Sequence, residues 1–124
     1  MKKHSTEKAP AAIGPYTQAI SAGKFIFTSG QIAINPATNQ VEETSIEGQS
    51  KQVCENLKAI LENCGSDLSH VVKTTCFLAD MNDFAAFNAV YGSYFTEKPA
   101  RSCVAVKSLP KNVLVEVEVI AIKH

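Results

Sequence analysis

The sequence predicts an α+β fold, a mixed sheet with two helices on one face, arranged β-β-α-β-α-β-β as one domain over residues 1–124. Three observations carry this expectation. Two stretches repeat apolar residues at helical spacing, and several short runs rich in Val, Ile, Phe and Thr alternate with them. Helices gathered on one side of such a sheet are the economical packing. Finally, several strands are apolar on both faces, whereas two helices cover only one, so a homo-oligomer is expected to cover the other.

Met1–Lys8 is polar and is expected to pack loosely. Ala9–Tyr16 is extended by its prolines and turned at Gly14-Pro15. A short strand over Thr17–Ser21 meets a turn at Ala22-Gly23, and Lys24–Ile34 follows as one long strand. Gly30, between Ser29 and Gln31, marks either a bulge or a close approach to the backbone. After a turn at Asn35–Asn39, Thr44 and Glu47 fit a capping box, and Val53, Leu57, Ile60, Leu61 and Cys64 form a helical stripe that stops at Gly65.

Val71–Ala79 is the next strand, with Val72, Cys76 and Leu78 expected on one face and Val71, Phe77 and Ala79 on the other. Asp80 caps a second helix over Met81–Phe95, with Phe84, Phe87, Tyr91 and Phe95 on its apolar stripe. Asn88 falls on that stripe and must find hydrogen-bond partners, either as a tie to the core or as part of a site. Pro99–Val106 and Leu114–Lys123 then suggest a hairpin across a polar turn, placing Arg101 opposite Glu116 or Val117. From the pattern alone, Arg101 is either a bidentate carboxylate binder or the partner of Glu116 or Glu118 in a cross-strand ion pair.

Composition narrows the function. Twelve Lys plus Arg balance twelve Asp plus Glu, which argues against broad nucleic-acid or membrane-surface binding. No apolar run follows Met1–Glu7, so neither a signal peptide nor a membrane span is expected, and a cytoplasmic location is. Cys54, Cys64, Cys76 and Cys103 are widely spaced, which suits four reduced thiols rather than a structural zinc site. Phosphate-cradling glycine motifs and close histidine clusters are missing, and His70 suits a turn better than catalysis. Metal and cofactor are both expected to be none. Cys103 shares a strand face with Arg101, where a cation can lower a thiol pKa, although a small buried side chain is the simpler expectation.

Several segments carry a resemblance. They are A-P-A-A-I-G-P-Y at Ala9–Tyr16, T-S-G-Q-I at Thr28–Ile32, N-L-K-A-I-L at Asn56–Leu61 and V-V-K-T-T at Val71–Thr75. Asp83-Phe84, N-A-V-Y at Asn88–Tyr91, P-A-R-S-C-V at Pro99–Val104, Leu109–Lys111 and V-E-V-E-V-I-A at Val115–Ala121 extend it nearly end to end. On these the chain resembles the YjgF/YER057c/UK114 (Rid) family, within it the RidA type.

The resemblance implies a chorismate-mutase-like fold and a homotrimer with a central β-barrel and clefts between subunits. It also implies hydrolysis of 2-imino acids and their enamines (2-iminopropanoate, 2-iminobutanoate, 2-aminoacrylate) to 2-keto acids and ammonia. The substrates would come from pyridoxal-phosphate dehydratases, and neither nucleic acid nor membrane would be a partner. Arg101 falls where the family holds the substrate carboxylate, and Glu116 where it manages the reacting end and its water. Tyr16, Ser29, Gly30, Gln31, Phe87, Asn88 and Cys103 fall on cleft-lining positions. The short Phe95–Pro99 loop and Ala105, where many members carry an acid, depart from the family pattern. Other readings are a non-catalytic carboxylate-binding or regulatory module and, disfavoured by the zero net charge, a ribonuclease or translation inhibitor.

Overall fold

The computed structural model describes all residues, Met1–His124. In chain order its elements are β1 (Lys2–His4), β2 (Ala19–Ala22), β3 (Phe25–Thr28), β4 (Ile34–Asn35), β5 (Gln40–Val41), α1 (Ile46–Asn63), β6 (Val71–Leu78), α2 (Phe84–Tyr94), β7 (Ala100–Ala105) and β8 (Val115–Ile122). Six strands form one sheet in the order β1-β2-β3-β8-β6-β7, and β4 with β5 makes a separate small hairpin. Only β6 and β7 pair in parallel. The α+β class with two helices against a mixed sheet is therefore observed.

The Pro99–Lys123 hairpin does not form. β7 pairs with β6, and β8 sits between β3 and β6. A strand–helix–strand crossover through α2 brings β7 back parallel to β6, as such connections require. β8 alternates buried Val115, Val117, Val119 and Ala121 with half-buried residues, which fits it to a central position flanked on both edges.

Five local expectations are also corrected. The N-terminal residues are not loose: β1 pairs with β2, His4 Nε2 meets Ser21 Oγ at 2.9 Å, and the buried Gln18 amide ties down the segment that follows. Gln18 accepts from Thr6 N–H at 2.8 Å and donates to the carbonyls of Thr6 (3.0 Å) and Pro10 (2.8 Å). The long strand breaks after Thr28, because Ser29 turns back to bond Thr17 and Gln18. Helix α1 is capped by Ser45, whose hydroxyl accepts from Gly48 N–H at 3.0 Å, rather than by Thr44, and Cys64 lies at its C-terminal cap. A register shift between Val71 and Lys73 turns Val72 outward and sets Thr74, Cys76 and Leu78 on the buried face. Asp80 caps a short 3-10 turn, Met81–Asp83, that leads into α2.

The core lies between the helices and one face of the sheet, where Val53, Leu57, Leu61, Phe87 and Phe95 meet Ile26, Cys76, Val115, Val117 and Val119. Each fully buried aliphatic or aromatic side chain contributes about 1.5–3 kcal/mol. The opposite face has no helix over it. Phe25 (42% exposed), Phe27 (44%) and Val104 (47%) lie on it with Ile120 and Ile122. No helix is long and apolar enough to cross a membrane.

Candidate active site

Arg101 leaves β7 toward α2, because it is in register with the fully buried Thr74, whose hydroxyl meets Tyr91 Oη at 2.8 Å. Its Nη1 donates to Asn88 Oδ1 at 2.7 Å. The guanidinium carbon lies 4.8 Å from the ring centre of Tyr91 and 5.4 Å from that of Phe84, within cation–π range. Both salt bridges of the chain belong to Asp67, with His70 and His124. Arg101 is thus half-buried with no acidic partner, which disposes of the cross-strand ion pair.

Glu116 leaves β8 on the other face, in register with Phe77, which in turn is level with Val104. Burial first, and repulsion by Glu118 second, hold its carboxyl above the ordinary glutamate range. Beside it the chain crosses closely. Gln31 exchanges two backbone hydrogen bonds with Val117, at 2.8 and 3.1 Å, and this bridge draws Gly30 against the glutamate. A methyl group at Gly30 would overlap the Glu116 carboxylate, so the glycine leaves room for the glutamate side chain where it stands, and no unusual backbone angle calls for it. The close-approach reading of Gly30 is the correct one. Its N–H bonds to nothing within the chain.

Tyr16, Gly30, Gln31 and Glu116 line one small cavity of about 60 Å³ with Pro10, Ala11, Ile13, Ile32, Ile34 and Pro110. Two water-sized groups occupy roughly such a volume. Tyr16 Oη accepts from Ile13 N–H at 3.2 Å, bracing the Ala9–Tyr16 strap over the cavity. Ser29 donates its hydroxyl to Thr17 O at 2.6 Å and holds the turn below.

The nine anticipated residues therefore fall into two groups. Tyr16, Gly30 and Gln31 gather around Glu116, with Ser29 holding the turn next to Gly30, whereas Asn88 and Cys103 accompany Arg101 on the helix-covered face. Phe87 is fully buried, packed 5.5 Å from Tyr91, and supports the second group from the core instead of facing an open surface. Burial pushes the Cys103 thiol up, against a smaller opposing pull from Arg101, so it remains a thiol.

Two residues escaped the sequence analysis. The sequence pattern places Tyr91 only on the apolar stripe, yet it supports the guanidinium. Asn56, buried on α1, donates to Ile32 O at 3.2 Å and Ile34 O at 3.0 Å and positions the cavity wall. Asn56 sits three residues after Val53 and so lies on the helix stripe, the same signal that singles out Asn88.

Fold and site together define a class: small α+β proteins with both helices on one face of a six-stranded sheet, an arginine without an acidic partner on the covered face and a carboxylate on the open one. The chain belongs to the family described as Endoribonuclease L-PSP, the YjgF/Rid family, whose model matches residues 6–123. A RutC family protein of Pyrococcus abyssi is 56% identical over 120 residues, covering 96% of this chain and 94% of its own. The 2-iminobutanoate/2-iminopropanoate deaminase of Escherichia coli K12 is 49% identical over 127 residues, covering 99% and 98%. A candidate endoribonuclease of Thermotoga maritima superposes with a TM-score of 0.97 at 49% identity, covering 100% of this chain and 98% of that one.

Proposed function

We propose that this protein hydrolyses small 2-imino acids and their enamine tautomers to 2-keto acids and ammonia, at sites shared between subunits of a homotrimer. The observation that carries the reading is the Arg101 guanidinium, clamped by Asn88 and two aromatic rings yet lacking any acidic partner. A half-buried cation is costly unless an anion joins it, and a planar fork of donors fits a carboxylate bidentately. The similarity to the E. coli deaminase supports the same chemistry.

Glu116 faces the other way from Arg101 within one chain, so a single cleft holding both draws them from neighbouring protomers. The uncovered sheet face with Phe25, Phe27 and Val104, and the unpaired outer edge of β7, support this assembly. In the proposed cleft, Arg101 of one protomer binds the substrate carboxylate. Glu116 of the next orients a water against the protonated imine carbon and takes its proton. The resulting carbinolamine collapses as its nitrogen leaves as ammonia, giving the keto acid. A protonated imine is already electrophilic, so placement and charge complementarity supply most of the acceleration. The Gly30 N–H, free within the chain, is available to the developing alkoxide.

The test couples the protein to a threonine or serine dehydratase that generates the imine, and follows keto-acid and ammonia release. Acceleration over spontaneous hydrolysis is the expected result. No acceleration, with 2-oxobutanoate still bound, would favour a carboxylate-binding module.

A further inference from the structure

Resting on that reading, we propose that Asn88 and Tyr91 are positioning residues for the anion site: they fix the roll and depth of the Arg101 guanidinium and, being neutral, leave its charge for the ligand. A guanidinium offers five N–H donors. One of them is spent on Asn88 Oδ1, at 2.7 Å. That single bond sets the rotation of the fork about its long axis. The two rings set its depth, with Tyr91 at 4.8 Å and Phe84 at 5.4 Å from the guanidinium carbon.

Tyr91 is itself held at both ends. Its hydroxyl meets the fully buried Thr74 at 2.8 Å, and its ring stacks on Phe95 at 4.5 Å between centres. Thr74 is the residue in register with Arg101, so the ring and the arginine's backbone are referenced to the same pair of strands. A fork fixed in this way presents its remaining donors in one plane, which bidentate capture of a carboxylate requires.

The chemistry of Asn88 matters as much as its place. Aspartate has the same shape and accepts the same hydrogen bond, but it would supply the negative charge that the ligand must bring. An amide holds the arginine without neutralising it. In this proposal Asn88 acts on the ligand through Arg101, a role added to its expected place among the cleft-lining residues.

The experiment compares Asn88→Asp, Asn88→Ala and Tyr91→Leu, with Ser93→Ala, exposed on the same helix, as control. It measures the affinity for 2-oxobutanoate by calorimetry and the KM and kcat for the dehydratase-generated imine. Carboxylate binding is present in ground and transition states alike, so its loss raises KM more than it lowers kcat. Asn88→Asp should fold as the wild type does, by melting curve, yet weaken 2-oxobutanoate at least about 10-fold and raise KM similarly. Asn88→Ala and Tyr91→Leu should weaken both by about 3- to 10-fold. Wild-type ketoacid affinity and KM in Asn88→Asp would overturn the proposal, as would equal losses in Asn88→Asp and Asn88→Ala. If the wild type binds 2-oxobutanoate but hydrolyses no imine, the functional reading fails while the calorimetric arm still decides the role of Asn88.

Discussion

Arg101 and Glu116 point to opposite faces of one sheet. β6 lies between their strands, and Arg101 is level with Val119, three positions along β8 from Glu116. One chain therefore carries a clamped cation on the helix side and a half-buried carboxylate beside Gly30 on the open side, which the proposed function reads as two half-sites.

Replacing Arg101 by Lys keeps the charge but loses the fork. Deaminase kcat/KM should fall by at least about 100-fold, since a point charge cannot reproduce bidentate orientation. Near wild-type kcat/KM in the coupled assay would refute the bidentate role.

Glu116 sets a pH dependence with a definite sign. Its folded-state pKa is raised above the ordinary glutamate value of 4.5, so the folded protein binds this proton more readily than the unfolded chain does. Stability attributable to this group therefore grows as pH falls from the raised folded pKa toward 4.5, and the ionised group is a liability above that window. Glu116→Gln should melt at or above the wild-type temperature at neutral pH while losing turnover. Glu118→Gln should change turnover less. The acid limb of the wild-type rate profile should lie above the ordinary glutamate pKa, and a limb at or below it would count against Glu116 as the base.

Gly30→Ala tests the close crossing at Gln31–Val117. The backbone tolerates alanine there, and the new methyl displaces only the Glu116 side chain. The variant should fold normally and lose about 10- to 100-fold in kcat, as misplacement near the reacting atoms does. Unchanged kcat would mean that Glu116 is not held in its working position by this contact.

Asn56→Leu should be severe for a different reason. It strands the carbonyls of Ile32 and Ile34 and exchanges a buried, satisfied amide for an alkyl group. About 1–3 kcal/mol per unsatisfied group predicts a clear drop in denaturant midpoint. A midpoint equal to wild type would show that the cavity wall does not depend on this tie.

Much of the fold was legible because periodicity reports which residues are covered. The stripe at Val53, Leu57, Ile60 and Leu61 led directly to α1, and the second stripe, with Asn88 on it, led to α2. Strand pairing was less legible. The polar Lys107–Asn112 turn suggested that β7 and β8 were neighbours, but that segment crosses over β6 instead. Face assignments inherit such errors, since which face a residue occupies depends on pairing and on shifts such as the one at Val72. The site's residue types were therefore recognisable, but their division between two faces was not. Asn56 went unnoticed because a polar residue on a helix stripe declares itself only through the carbonyls it reaches, here 22 and 24 positions away.

The most direct test of a shared cleft is subunit complementation. Arg101→Ala and Glu116→Gln are each prepared inactive, then mixed, unfolded and refolded together. If one protomer supplies the arginine and its neighbour the glutamate, random assembly restores about a quarter of the sites. Deaminase activity should then reappear at about that fraction of wild type. A mixture that stays as inactive as its parents, while sizing as a mixed oligomer, would contradict the account.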